Sequence, residues 1–202
     1  MRWDNLFDDL EGRLEYELSA EEIDLRAEEE RLRLGRISLR DRLMSLAEGH
    51  AEGSGYAIRV QLASDFGIRV RPKTFGKDWL AGDLVDESDR RRECILPLSA
   101  IAALILTAAQ IEDSMETVAD NAARGAPRLS DRIGLAFVLR DLCRRRKNVE
   151  IQSSGDLLHG TIDRVGRDHL DLAIHEPGSS RREPNVLAYR VIPLAAVLLI
   201  RL

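Results

Sequence analysis

Hydrophobic and polar residues alternate in two separate parts of the chain, and this period of two is typical of half-buried β-strands. Between residues 58 and 62, Ile, Val and Leu alternate with Arg and Gln, and further short apolar runs follow up to residue 106. The second part runs from 149 to 201 and includes 169–175, where the alternation extends over seven residues. Each part therefore predicts five short antiparallel strands.

Apolar residues at helical spacing precede each of these parts. Leu39, Leu43 and Leu46 predict a short helix before the first set of strands. A stronger helix is predicted from 130 to about 147, because aliphatic residues recur on one of its faces and basic residues close it.

The beginning of the chain is also predicted to be helical. Leucines recur every four residues in the first half of 3–34, with acidic residues between them. Ser19 begins a capping-box pattern, which favours a second helix start at that position.

Two seven-residue stretches in the middle and at the end of the chain share one pattern. Residues 95–101 read Ile-Leu-Pro-Leu-Ser-Ala-Ile, and residues 191–197 read Val-Ile-Pro-Leu-Ala-Ala-Val. Two further echoes occur upstream in the same order, 76–80 with 166–170 and 39–43 with 129–133. Three echoes in one order indicate an internal duplication.

The duplication predicts four regions along the 202 residues. These are an acidic N-terminal helical segment (1–36), a first repeat (37–107), a weakly helical linker (108–128) and a second repeat (129–202).

The second repeat resembles Sm-like proteins of the Hfq/LSm type. The likeness lies in Asp-Leu-Leu-His-Gly-Thr-Ile at 156–162, in His-Leu-Asp-Leu at 169–172 and in Tyr-Arg-Val-Ile at 189–192 followed by Pro193. The resemblance implies an α+β fold, in which the N-terminal helix is followed by two tandem small β-barrels. Each barrel would contain one helix and five strongly bent strands, an order that SH3-like barrels share. The whole chain also resembles a bacterial family whose sequences open with a Trp-Asp-x-Leu-Phe helix.

Charge is distributed unevenly along the chain, which carries a net charge of −5. Residues 1–34 contain twelve acids and five bases, so the remainder is close to neutral. This balance argues against non-specific nucleic-acid binding by the whole chain, but it leaves room for a local basic face. The chain has two cysteines, no signal peptide pattern and no apolar run of about 18 residues. These features predict a cytoplasmic protein without a membrane-spanning helix.

Basic and aromatic residues on the predicted strands are the candidate ligand contacts. Arg59, Arg69 and Arg71 would point to one side of their strands and, with Lys73, form a phosphate-binding stripe. The competing interpretation is the solvated face of a small barrel. Trp79 would stack on a base or anchor a partner, unless a helix covers it.

A further basic cluster, which comprises Arg144, Arg145 and Arg146, lies at the end of the helix predicted from 130 to about 147. It would either contact RNA or complement the helix dipole.

No motif for catalysis, metal binding or a cofactor is recognisable in the chain. We therefore expect a non-catalytic adaptor whose partners are a protein or further copies of itself, bound through barrel edge strands and the acidic helix. The alternative is an RNA-binding regulator that uses basic barrel faces and loops.

Overall fold

The computed structural model describes residues 22–48, 57–85, 92–121, 129–179 and 181–202. The chain divides into two compact units, Met1–Ser38 and Leu39–Leu202. In the first unit the described residues form a helix, α1, over 22–34, whose side chains are mostly exposed. Pairs one turn apart, such as Arg31 with Glu28 at 3.2 Å, lie along it. The predicted leucine repeat and the capping box at Ser19 lie outside the described residues.

The second unit is built on antiparallel strands with three further helices, α2 (Leu39–Glu48), α3 (Ala108–Asn121) and α4 (Leu135–Arg144). The first five strands are β1 (Ile58–Leu62), β2 (Gly67–Phe75), β3 (Trp79–Leu84), β4 (Arg92–Pro97) and β5 (Ile101–Ile105). The other five are β6 (Asn148–Ser153), β7 (Leu157–Val165), β8 (His169–Ile174), β9 (Ala188–Pro193) and β10 (Val197–Arg201). No helix in the described ranges is long and apolar enough to cross a membrane.

The expectation of two tandem closed barrels is wrong, because the ten strands form one open antiparallel sheet. Its order is β5-β1-β2-β3-β4-β10-β6-β7-β8-β9. The two halves are joined where β4 pairs with β10, with Ile95 opposite Ile200 and Cys94 opposite Arg201. We call this pairing the internal joint. Because β4 hydrogen-bonds to the other half of the chain, it does not close the sheet of its own half.

The two halves repeat the same strand order, as the sequence echoes predict. β5-β1-β2-β3-β4 in the first half corresponds to β10-β6-β7-β8-β9 in the second. The turns between the second and third strands of each half also match. The Gly76 N–H donates to the Trp79 carbonyl at 2.8 Å, and the Gly166 N–H donates to the His169 carbonyl at 2.8 Å.

Two apolar cores share the central strands β3 and β4. Leu80 and Leu96 pack with α2 and the first-half strands, whereas Trp79 and Ile95 pack with α4 and the second-half strands. Successive residues of a strand point to opposite faces, so β3 and β4 are buried on both faces. This double burial accounts for the continuous apolar run at the end of β4, since neither face meets water.

Helix α4 begins five residues later than the sequence predicts. Residues Leu129–Arg132 form a short 3-10 helix, and Gly134 at the N-cap has no side chain to offer. Instead, the Asp78 carboxylate accepts a hydrogen bond from the Leu135 N–H at 2.8 Å. The cap comes from the β2–β3 turn of the other half, which no local pattern could reveal.

Helix α3 lies in the linker that the sequence predicts to be weakly helical, and a capping box begins it. The Gln110 N–H donates to the Thr107 hydroxyl at 3.3 Å, and the Thr107 N–H donates to the Gln110 side chain at 2.9 Å. Thr-x-x-Gln is the sequence signature of this motif, so this helix start was readable from the sequence. The helix packs against α2, where Arg42 donates to the buried Ser114 hydroxyl at 2.9 Å.

Candidate functional site

Arg59 and Arg69 lie directly opposite each other on β1 and β2, with exposed side chains on one face. They line a groove of about 750 Å³ at one end of the sheet. We call this the arginine groove, and its lining is Arg59, Phe66, Gly67, Ile68, Arg69, Leu84, Val85, Arg92, Glu150 and Arg201. The alternation of β1 and β2 predicted that Arg59 and Arg69 share a face. Arg92 and Arg201 line the groove only because the tertiary structure brings their strands close to these two.

The arginine groove carries an excess of positive charge. Arg201 is ion-paired with Glu150, which faces it across β10 and β6. In the described part of the chain, the side chains of Arg59, Arg69 and Arg92 make no hydrogen bond and no ion pair. Three arginines that have no partner among the described residues therefore line one groove, where they would attract an anion.

Arg71 and Lys73 lie on β2 but do not line the groove. Arg71 is paired in register with Asp83 on β3, and the Lys73 ammonium lies 2.8 Å from the Asp83 carboxylate. The Asp83 side chain is buried, so Lys73 compensates a charge that the fold has removed from water. The predicted phosphate-binding stripe is therefore divided after Arg69.

Trp79 is covered, so its ring is not available to stack on a base. The side chain is 7% exposed and packs in the second-half core against α4. Its indole N–H donates to the Ile133 carbonyl at 3.0 Å, just before the start of α4. Trp79, on β3 of the first half, is therefore part of the core of the second half.

The basic cluster after α4 also lies outside the groove, and each of its guanidinium groups has a carboxylate partner. Arg144 and Arg145 contact Asp141 at 2.9 and 2.6 Å. Arg146 contacts Asp163 at 2.8 Å. Three arginines thus share two carboxylates, so their positive charge is compensated in part.

Asp163 on β7 accepts hydrogen bonds from two arginines. Arg181, whose guanidinium binds both carboxylate oxygens, lowers the pKa of Asp163 below its ordinary value, and Arg146 adds to this effect. Lowering of the folded-state pKa means that the carboxylate stabilises the fold above its unfolded pKa of about 3.9. That contribution is lost as the pH falls through the folded-state value.

Asp163→Asn is expected to lower the free energy of unfolding by about 1–3 kcal/mol at neutral pH, because two charge-assisted contacts are lost. The difference from the parent protein should shrink as the pH falls below about 4, because Asp163 is protonated first in the unfolded chain and then, at its lower pKa, in the folded protein. Urea unfolding at pH 7 and at low pH measures both effects. Asp156→Asn is the control, since its exposed pair with Arg190 should contribute little. A pH-independent difference would contradict the assignment.

Histidines in the second half form a small polar cluster that the sequence pattern did not reveal. His159 and His175 have ring centroids 5.8 Å apart, and the buried His175 Nε2 lies 2.9 Å from the Thr161 hydroxyl. The His159 Nε2 atom is buried without a hydrogen-bond partner among the described residues. No group of three or more metal-ligating side chains occurs within the described ranges.

Cys94 and Cys143 are free thiols. Burial raises the pKa of Cys94 to about 12, so this sulfur stays protonated at neutral pH and is not a nucleophile. The Cys143 thiol donates to the Asp163 carbonyl at 3.2 Å.

Strands β5 and β9 are the two edges of the sheet, and no other described strand pairs with their outer sides. On β9 and just before it, three large apolar side chains at alternate positions are exposed, Leu187 at 69%, Tyr189 at 60% and Val191 at 67%. On β5, Ile105 is 47% exposed. An edge strand with exposed apolar side chains is a template for pairing with another strand.

Comparisons with protein-family models, with curated proteins and with solved structures found no match. Functional inference therefore depends on the geometry of the chain itself.

Proposed function

We propose that this chain is a non-catalytic assembly protein whose copies associate head to tail, with β9 of one copy pairing with β5 of the next. The observation that carries the proposal is the internal joint. β9 occupies in the second half the place that β4 has in the first, and β5 corresponds to β10. The chain therefore contains one completed example of the pairing and the two unpaired strands that would repeat it. Edge pairing between repeats is also what the resemblance to Sm-like proteins implies.

The internal joint predicts the register between copies. Within the chain, Ile95 faces Ile200 and Cys94 faces Arg201. The equivalent residues would place Val191 opposite Leu104 of the next copy. They would also place Arg190 opposite Ile105.

Burial differs between the two equivalent surfaces in the way that the proposal requires. Ile95 is 3% exposed in the internal joint, whereas its equivalent Val191 is 67% exposed. Likewise Trp79 is buried, and its equivalent His169 is exposed. Association would bury the apolar row of β9 as the joint buries that of β4, and this burial supplies the main favourable free energy.

Head-to-tail pairing uses different surfaces on the two copies, so it does not end at a dimer by itself. Such heterologous contacts give a closed ring if the rotation between copies closes and an open filament if it does not. Recruitment of another protein by the acidic N-terminal segment is a further part of the proposal.

Light scattering at micromolar concentration is expected to show oligomers of the parent protein and monomers of Val191→Lys. The lysine places a charge in the apolar row and penalises edge pairing. Phe137→Lys is the matched control, because it replaces another exposed apolar residue on α4. A parent protein that remains monomeric would overturn the proposal.

A mixing experiment tests the polarity of the association. Ile105→Lys would face Arg190 across the proposed interface, and like charges directly opposite disfavour pairing. Each variant alone should be monomeric. Mixed with Val191→Lys, it should give 1:1 dimers, since each chain keeps one intact edge. Failure of the mixture to associate would exclude head-to-tail pairing.

RNA binding is the second candidate, and one observation favours it. Of the eight residues proposed from the sequence, Arg59 and Arg69 line the arginine groove, and both lack a protein partner among the described residues. An RNA interface would therefore be centred on this groove and not on the cluster after α4.

A further inference from the structure

The arginine groove differs from the sheet edges in the kind of partner it suits, because its charges and its shape fit a small ligand. Its volume of about 750 Å³ falls within the range of roughly 300–1,000 Å³ that small-molecule sites occupy. Its lining combines the three unpaired arginines with an apolar wall that includes Phe66 and Ile68. Such a site can hold a ligand with an anionic end and an apolar end.

The second half of the chain shows that the fold does not require arginines at these positions. Strand pairing makes Glu150 the equivalent of Arg59, and it makes His159 the equivalent of Arg69. At the start of β9, Ala188 is the equivalent of Arg92. The same strands therefore form without a cationic groove, so the arginines of the first half serve another purpose than strand formation.

The chemistry of the arginines specifies the anion. A guanidinium group presents a rigid, planar set of donors that matches the oxygens of a phosphate, and the charge-assisted bonds are stronger than neutral ones. Arg59 and Arg69 project from one face of paired strands, so their positions are set by the sheet. Bringing like charges together without a carboxylate for each of them is unfavourable until an anion binds.

Phe66 specifies the other part of the ligand. This ring is 46% exposed beside the arginines, although it follows a turn where a polar residue would be expected. An exposed aromatic face next to phosphate-binding groups is suited to stacking on a flat heterocycle.

We infer that the arginine groove binds a nucleotide, with phosphates on Arg59, Arg69 and Arg92 and the base against Phe66. The nucleotide is either free or part of a single-stranded nucleic acid, since both present the same groups. Val191 is not among the residues that line the groove, so the Val191→Lys variant allows binding to be measured without oligomers.

Binding of three probes to Val191→Lys by titration calorimetry at low salt tests the inference. The probes are adenosine diphosphate, inorganic pyrophosphate and a short single-stranded oligoadenylate. Adding Arg59→Gln, Arg69→Gln or Arg92→Gln should weaken binding of the diphosphate about tenfold each, because each removes a charge-assisted contact. Arg164→Gln is the control, since it removes one exposed positive charge outside the groove.

Phe66→Ala separates recognition of the base from recognition of the phosphates. It should weaken binding of adenosine diphosphate about tenfold and leave binding of pyrophosphate unchanged. Weaker binding of adenosine diphosphate and of pyrophosphate to the three arginine variants, with binding to Arg164→Gln unchanged, supports the inference. If only the oligoadenylate binds, and if its binding depends on the same groove residues, the inference is supported. The nucleotide then belongs to a single-stranded nucleic acid.

Three results would overturn the inference. The first is no binding of any probe at low salt, and the second is equal losses of affinity in the arginine variants and in Arg164→Gln. The third is an affinity for adenosine diphosphate that equals the affinity for pyrophosphate and is unchanged by Phe66→Ala. Circular dichroism of each variant establishes that the fold is retained, which is expected because all the altered side chains are exposed.

Discussion

Gly160→Val is expected to prevent the second half of the sheet from forming, with a loss of at least about 3 kcal/mol in the free energy of unfolding. A Cβ at Gly160 would clash with the Ala173 carbonyl oxygen and lie 3.0 Å from the Ala173 carbonyl carbon. It would also lie 3.2 Å from the Ile174 Cα. These atoms belong to the backbone of β8, which is paired with β7, so no side chain can move to make room.

Urea unfolding followed by circular dichroism measures this effect, and Gly155 provides the control. A Cβ at Gly155 would meet nothing within 4 Å, so Gly155→Ala should be neutral or stabilise by about 0.4–1 kcal/mol through the unfolded state. Equal stability of the Gly160 variant and the parent would show that β7 and β8 are farther apart than the structure places them. The first half solves the same steric problem with Gly82 on β3, whose Cβ would clash with the Arg71 carbonyl oxygen.

Trp79→Ala is expected to cost about 3–5 kcal/mol, the range for removal of a large buried aromatic side chain. The ring fills the second-half core under α4, and its indole N–H satisfies the Ile133 carbonyl. Truncation would leave a cavity in the second-half core and would remove one of two donors to the Ile133 carbonyl, which also accepts from the Lys77 N–H at 2.9 Å. Trp79→Phe should cost less, because it keeps most of the apolar volume and loses the hydrogen bond.

The equivalent residue in the second half is the control for the tryptophan variant. His169 is exposed, so His169→Ala should change the free energy of unfolding by no more than about 0.5 kcal/mol. Chemical denaturation of both variants gives the comparison. Similar costs at the two positions would contradict the difference in burial between Trp79 on β3 and His169 on β8.

Local patterns were sufficient for the strands and for most of the helices. Alternation of apolar residues predicted the strands, since side chains of a strand point alternately to two faces. The repeated pattern of two aliphatic residues followed by Pro-Leu predicted the duplication. Both copies form a strand followed by a one-turn 3-10 helix, at Leu98–Ala100 and at Leu194–Ala196. The same alternation placed Arg59 and Arg69 on one face.

The pattern of apolar and polar residues did not predict which distant strands pair with each other. Two closed barrels and one open sheet use the same ten strands, and they differ in the hydrogen-bond partner of β4. Backbone donors and acceptors are alike in every strand, so their pattern does not specify a partner. The same limit applies to Trp79, whose covering helix comes from the other half of the chain.

The candidate site was predictable to the extent that strand alternation determined it. Arg92 and Arg201 join the arginine groove because β4 and β10 are neighbours in the sheet, although they lie far apart along the chain. The cluster at Arg144 to Arg146 is equally basic in sequence, yet each of its guanidinium groups contacts Asp141 or Asp163 in the structure.

By itself, the order of residues determined which segments form strands, that the unit is duplicated and that two arginines share a face, because each of these depends on spacing within one element. Only the tertiary structure decided that the two halves share one sheet, which basic residues are neutralised and which edges stay free. Those outcomes depend on contacts between residues far apart in the chain, and the free energies of such contacts are determined by burial and by distance in space.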